Sequence, residues 1–247
     1  AAAAPVLHDR PSDDQALDEV SELVGVKASG LQVMDLQALV GEAQARFTGD
    51  TALRACEGDA TTPAGLAGLL GELRSAVLYV DYERAISLHG RIEAGIPCLS
   101  GPLDPSLAAE SWLLLGYVLH EEGRTEDAQK AFAQVGVFAP DYDWPDNLNP
   151  DFAPRFYQAR DAAGGAVPLR IFPVPDSLMV DGVLVKDGDL SLPPGLHVVQ
   201  YGDKLDRVLA FELAGEETLL IPAAADGDAA AALLTSGGGA LLSELLS

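Results

Sequence analysis

The stretch from Ala109 to Pro140, AESWLLLGYVLHEEGRTEDAQKAFAQVGVFAP, constrains the fold of this chain more than any other. Trp112, Leu115, Gly116 and Leu119 recur at helical spacing on one face of a first segment. Ala128, Phe132 and Val135 do the same on a second. Gly123-Arg124 breaks the chain between them, and Pro140 stops the second helix. The pattern predicts two antiparallel helices joined by a short turn. A weaker copy runs from Leu66 to Leu99, where Ala85 and Pro97 keep the spacing of Ala128 and Pro140. Its first helix is expected over Gly65 to Val80, with Leu69, Leu70, Leu73 and Val77 as the apolar face. The loop SGPLDPS separates the two copies.

The order Trp112, Leu115-Gly116, Leu119, Ala128, Phe132, Val135, Pro140 resembles a tetratricopeptide repeat. Val135 stands where that family usually has Ala. The resemblance implies close helix crossing at the small residues Gly116 and Ala128, with Trp112 and Phe132 filling the space on either side. It also implies that the first helix of each repeat lines a concave binding face. Carried onto this sequence, the exposed positions are Glu110, Leu113, Tyr117 and His120, with Arg74 and Val77 as counterparts in the weaker copy. A partner peptide or helix is expected across them, with Tyr117 the best anchor by residue type. Contact with this chain's own N-terminal helices is the alternative for the same residues. Pro150 to Ala163 reads as a capping helix with Phe152, Phe156 and Tyr157 turned inward, and Trp144 is expected to pack over the end of the repeat. The helical domain so defined covers residues 12–163, with repeats at about 66–99 and 109–142.

Residues 1–11 are expected to form a flexible lead. Ser12-Asp13-Asp14-Gln15 has the spacing of a capping box, ahead of a short helix carrying Leu17, Val20, Leu23 and Val24. Leu31 to Phe47 reads as a second amphipathic helix. After Gly164-Gly165 the pattern changes to short runs rich in Val, Leu, Ile and aromatics: LRIFPV, SLMVDGVLV, GLHVVQYG, RVLAFELA and EETLLIP. Asp181-Gly182 is a hairpin turn signal. The fold class is therefore α+β and multidomain: helical hairpin repeats, then a small all-β sandwich or open barrel over residues 166–222. PDSLMVDG (Pro175–Gly182) followed by Pro194-Gly195-Leu196-His197 resembles the PEGA domain, a β module found beside repeats in bacterial envelope and surface proteins. Asp176-Ser177 replaces that family's usual small-residue dipeptide. The tail, 223–247, is rich in Ala and Gly, with an apolar stripe of Leu241, Leu242, Leu245 and Leu246.

A formal charge of −23 argues against nucleic acid and anionic membrane surfaces as partners, because both repel it. No run approaches the roughly 20 apolar residues of a membrane span. The start AAAAPV fits a mature product of signal-peptide cleavage, and a trimmed chain would look the same. Cys56 lies just before the first helix of the weaker copy and Cys98 just after its second, so an antiparallel hairpin brings them together. A disulfide there implies an oxidising compartment; two separate thiols are the alternative. His8, His89, His120 and His197 are scattered, with no metal-binding pair. Asp141, Asp143, Asp146 and Asp151 lack the spacing and glycine of a calcium loop, and turns and helix caps account for them. No catalytic motif stands out, and no cofactor or metal is expected. The expectation is a non-catalytic scaffold or adaptor in a bacterial envelope or cell-surface assembly, periplasmic or surface-exposed, held in a larger complex by protein partners. The alternative is a carbohydrate- or cell-wall-binding protein acting through the β module, with Tyr201 and His197 as contacts.

Overall fold

The computed structural model describes residues 5–8, 32–35, 53–54, 56–162, 165–171, 174–214 and 218–220. The chain divides into two compact units: residues 1–50, 171–173 and 219–247 in the first, 51–170 and 174–218 in the second. In the first unit, β1 (Pro5–His8) and β2 (Gln32–Asp35) pair in parallel, Pro5 opposite Gln32 and His8 opposite Asp35. Residues 5–8 are thus strand rather than a flexible lead, and 32–35 are strand rather than the start of a helix. The remainder of the expected N-terminal helices, and the tail 223–247, lie outside the described residues.

The second unit carries the helical hairpins. Thr62 accepts the Gly65 N–H at 3.0 Å and Pro63 opens α1 (Pro63–Leu78). Asp81 caps α2 (Tyr82–Gly95), which runs into a 3-10 turn at Ile96–Cys98. Asp104 accepts from Ser106 and Leu107 and starts α3 (Pro105–Glu121). Then follow α4 (Thr125–Phe138) and α5 (Ala153–Asp161). Helix α1 packs on α2 and α3 on α4, and α3 also touches α1 and α2. A Cβ on Gly116 would sit 2.5 Å from the Phe132 ring, so glycine is what lets α3 approach α4. Phe132 meets Trp144 and Phe156 edge to face at 6.0 and 5.6 Å, Trp144 and Phe156 lie tilted at 5.5 Å, and the three close the end of this layer.

Strands β3 (Leu53–Arg54), β9 (Arg207–Leu213), β8 (Gly195–Tyr201), β5 (Leu178–Val180) and β6 (Val183–Val185) form an antiparallel sheet in that order. Asp181 (φ 51°) and Gly182 (φ 80°) make the tight turn between β5 and β6. β4 (Val167–Ile171) pairs with β7 (Asp189–Leu192), a strand absent from the sequence reading. The last described strand is β10 (Thr218–Leu220).

The class is mixed α+β, as expected, but the helices and the five-stranded sheet do not form separate folding units. Leu196 and Val198 of β8 and Ala210 of β9 join the buried cluster of Leu107, Leu113, Phe132 and Phe156. Two buried glutamines bridge the layers. Gln134 of α4 exchanges hydrogen bonds with the Leu196 backbone, and Gln200 of β8 bonds Leu103 N–H and Gly101 C=O. The change of composition near residue 165 separates helix from strand within one core.

Candidate functional site

A cleft of about 410 Å³ opens on the helical layer, lined chiefly by α1, the turn after it, α3 and the loop before α5. Its apolar wall is Val77, Leu78, Val80, Leu114 and Leu148. Its polar wall is Arg74, Glu110, Tyr82, Tyr117 and Asn147. The helices place these side chains because Arg74 and Val77 lie one turn apart on α1, and Glu110, Leu114 and Tyr117 follow the same periodicity on α3. Arg74 Nε and Nη2 donate to the Glu110 carboxylate at 2.5 and 2.6 Å. This two-pronged pair ties α1 to α3 across the cleft floor. Arg74 is held more basic than usual by that bond. Burial and the adjacent Glu121 push the Tyr117 phenol up to about 12. Burial and Glu110 push Tyr142 up to about 12 as well. Both remain neutral hydrogen-bond donors over the physiological range. At the rim Leu78 is 76% exposed, and Tyr79, next to it in sequence, is 80% exposed. Large apolar side chains left this open mark a surface with a use beyond the fold.

Of the six residues expected on the binding face, Arg74, Val77, Glu110 and Tyr117 line this cleft together. Leu113 does not: it is fully buried. Helix α3 is covered by α1, α2 and α4, so its apolar residues face inward nearly all round, and spacing alone cannot tell which side stays open. His120 stacks on Phe152 at 4.1 Å and accepts from Arg155 at 2.9 Å, so the segment leading into α5 and α5 itself occupy that position. Tyr79 and Val80 were expected inside the first helix, and α1 ends at Leu78 just before them. The Cys56 and Cys98 sulfurs are bonded, with Cα atoms 4.8 Å apart. Among the described residues no group of three or more candidate ligands gathers for a metal ion, and no helix is long and apolar enough to cross a membrane.

The two residues expected to touch carbohydrate are inside the sheet layer. Tyr201 is buried, and His197 is completely so. His197 Nδ1 lies 2.7 Å from Asp181 Oδ2 and Nε2 lies 2.7 Å from Pro193 O. Asp181 Oδ1 accepts the Val198 N–H at 2.8 Å. Both ring nitrogens face acceptors, an arrangement that favours the doubly protonated imidazolium. Burial opposes that charge, but the Asp181 carboxylate outweighs it and raises the His197 pKa. His89 is the opposite case. Buried edge-on against Trp112 at 4.4 Å, it is pushed down to about 4, with Glu93 too weak a counterweight.

The signs follow from linkage. His197 binds its proton more tightly folded than unfolded, so its stabilisation is complete below the unfolded value of about 6.5 and is lost as pH rises through the folded value. His89 binds its proton less tightly folded, so its stabilisation is complete above about 6.5 and falls away as pH drops toward about 4. Urea midpoints measured across pH should therefore fall on both sides of neutrality. His89→Phe should shrink the acid limb. An acid limb of unchanged size in that variant would contradict the buried neutral imidazole.

Comparison with protein-family models, with curated proteins and with solved structures returned no match.

Proposed function

We propose that this chain is a non-catalytic protein–protein interaction module that seats a protein segment in the Arg74–Tyr117 cleft. The carrying observation is the rim: two apolar residues that line the cleft, Leu78 and Val80, stand 76% and 64% exposed, and Tyr79 between them in sequence is 80% exposed. The cleft pairs apolar area with neutral donors and one fixed ion pair, a composition suited to binding a chain rather than transforming it. The helical hairpins are read as tetratricopeptide-type repeats, supported by Gly116 against Phe132 and by the recurrence of the hairpin. The sheet is read as PEGA-like, supported by the buried link from the Asp181-Gly182 turn to His197. The bonded cysteines support export, and with it a place in an envelope or surface assembly.

The test is cross-linking in the native host followed by mass spectrometry, with the wild type and with Leu78→Ser combined with Tyr79→Ser. Both positions are exposed, so folding should survive. A partner held at the rim should bind the double variant about 30-fold more weakly, the loss expected when a hot-spot pair is removed. Undiminished binding by the double variant would sink the cleft reading.

A further inference from the structure

Resting on that reading, we propose that Val80 is a specificity-determining contact of the cleft, and that the occupant is a protein segment joining aliphatic side chains to lysine or arginine. The two helical hairpins of this chain turn in the same way. After α1, Tyr79 N–H donates to Ser75 O, Val80 N–H to Val77 O and Asp81 N–H to Ala76 O at 3.0, 3.1 and 2.8 Å. After α3, Glu122 N–H donates to Val118 O, Gly123 N–H to His120 O and Arg124 N–H to Leu119 O at 3.0, 3.0 and 2.8 Å. Both turns need one residue in the left-handed region to reach the bond five residues back. Gly123 meets that need at φ 78°. The matching residue of the first turn is Val80, at φ 59°.

A β-branched residue is among the worst choices for this conformation, because its Cβ crowds the following carbonyl. Burial does little to offset that strain, since Val80 is 64% exposed. The same chain solves the same turn with glycine elsewhere, so the valine side chain is retained for what it presents. It presents a branched aliphatic group to the cleft, which Leu78 also lines. Strain held at a binding surface is where such outliers cluster.

The charge around the cleft selects the rest of the occupant. Arg74 is committed to Glu110. Glu121 ends α3 one turn beyond Tyr117, and Glu122 follows as its cap; both act on Tyr82, and Glu121 also on Tyr117. The cleft thus holds one neutralised cation, and two further carboxylates lie beside its tyrosines, on a chain of net charge −23. An acidic segment is repelled and a basic one drawn in.

A random-peptide display library panned on the full chain tests this. Enriched peptides, resynthesised, should carry Lys or Arg beside Leu, Ile or Val. Val80→Gly should raise the urea midpoint, by relief of strain, and weaken those peptides about tenfold, the loss expected for one buried aliphatic side chain. Glu121→Gln with Glu122→Gln should weaken them and flatten their salt dependence. If Leu78→Ser weakens binding but Val80→Gly does not, the role of Val80 is overturned and the cleft reading stands. If Leu78→Ser also leaves binding unchanged, the cleft reading itself fails. Enrichment of acidic or uncharged peptides, or of none, overturns the basic partner.

Discussion

Replacing Gln134 with leucine should destabilise the second unit by about 4 kcal/mol, a large share of what a domain of this kind has. The Gln134 amide donates to Leu196 O at 2.7 Å, and its carbonyl accepts the Leu196 N–H at 2.9 Å. One side chain of α4 thereby takes the place of a neighbouring strand for the start of β8. Leucine fills the space but leaves a buried N–H and a buried C=O without partners, each at a cost of about 1–3 kcal/mol. Glycine at 195 is part of the same joint, because a Cβ there would lie 2.8 Å from the Gln134 carbonyl oxygen. Gln134→Glu, when ionised, sets a buried charge against Leu196 O, so it should cost at least as much at neutral pH and less at low pH, where the protonated carboxyl can donate. In urea unfolding, the midpoint should fall while the slope stays that of a single transition. Two separated transitions would show that helices and sheet unfold independently. A shift under about 1 kcal/mol would show the joint to be solvated.

That joint was invisible in the sequence, and the reason is physical. A glutamine on a helix reads as surface, and only the buried strand start opposite it gives Gln134 its partners, as the loop before α3 gives Gln200 its own. The helical hairpins were legible because their signals are local: Gly116 where a Cβ would strike Phe132, and Gly123 where the turn needs a positive φ. The Asp181-Gly182 turn was legible for the same reason. The cleft was half legible. The tetratricopeptide resemblance implied a shared face for Arg74, Val77, Glu110 and Tyr117, and these four line the cleft. It failed for Leu113, because a helix covered on several sides has no open face for periodicity to reveal. It failed for Val80, because the turn it occupies is recognised by glycine. In β7, Leu190 and Leu192 alternate as strand residues do, but the run is four residues long and flanked by Gly188 and Pro193. His197 showed itself as a lone histidine at a strand start, and its carboxylate partner became apparent only when the turn folded over it.

Removing the Cys56–Cys98 bond, by Cys56→Ala with Cys98→Ala, should cost about 4 kcal/mol and lower the melting temperature by about 10 °C. The bonded residues are 42 apart in sequence, and a loop of that size forfeits about this much unfolded-chain entropy when closed. Alanine suits both sites, since Cys98 is buried and a serine there would strand a hydroxyl. The loss should not spread evenly. The closed loop contains α1 and α2, so it holds the wall of the cleft as well as its rim. Cys56 also stands two residues after Arg54, whose guanidinium bonds Glu93 of α2 and Glu212 of β9. The bond therefore anchors β3, a strand of two residues too short to hold the edge of β9 by its own ladder. Hydrogen exchange in the double variant should quicken at β9 and α2 before it quickens at β8, which lies between β9 and β5 in the sheet. Uniform quickening across the sheet would mean that the bond acts only through the unfolded chain, as the entropy account alone requires. Quickening confined to the edge would mean that it also holds the native sheet closed.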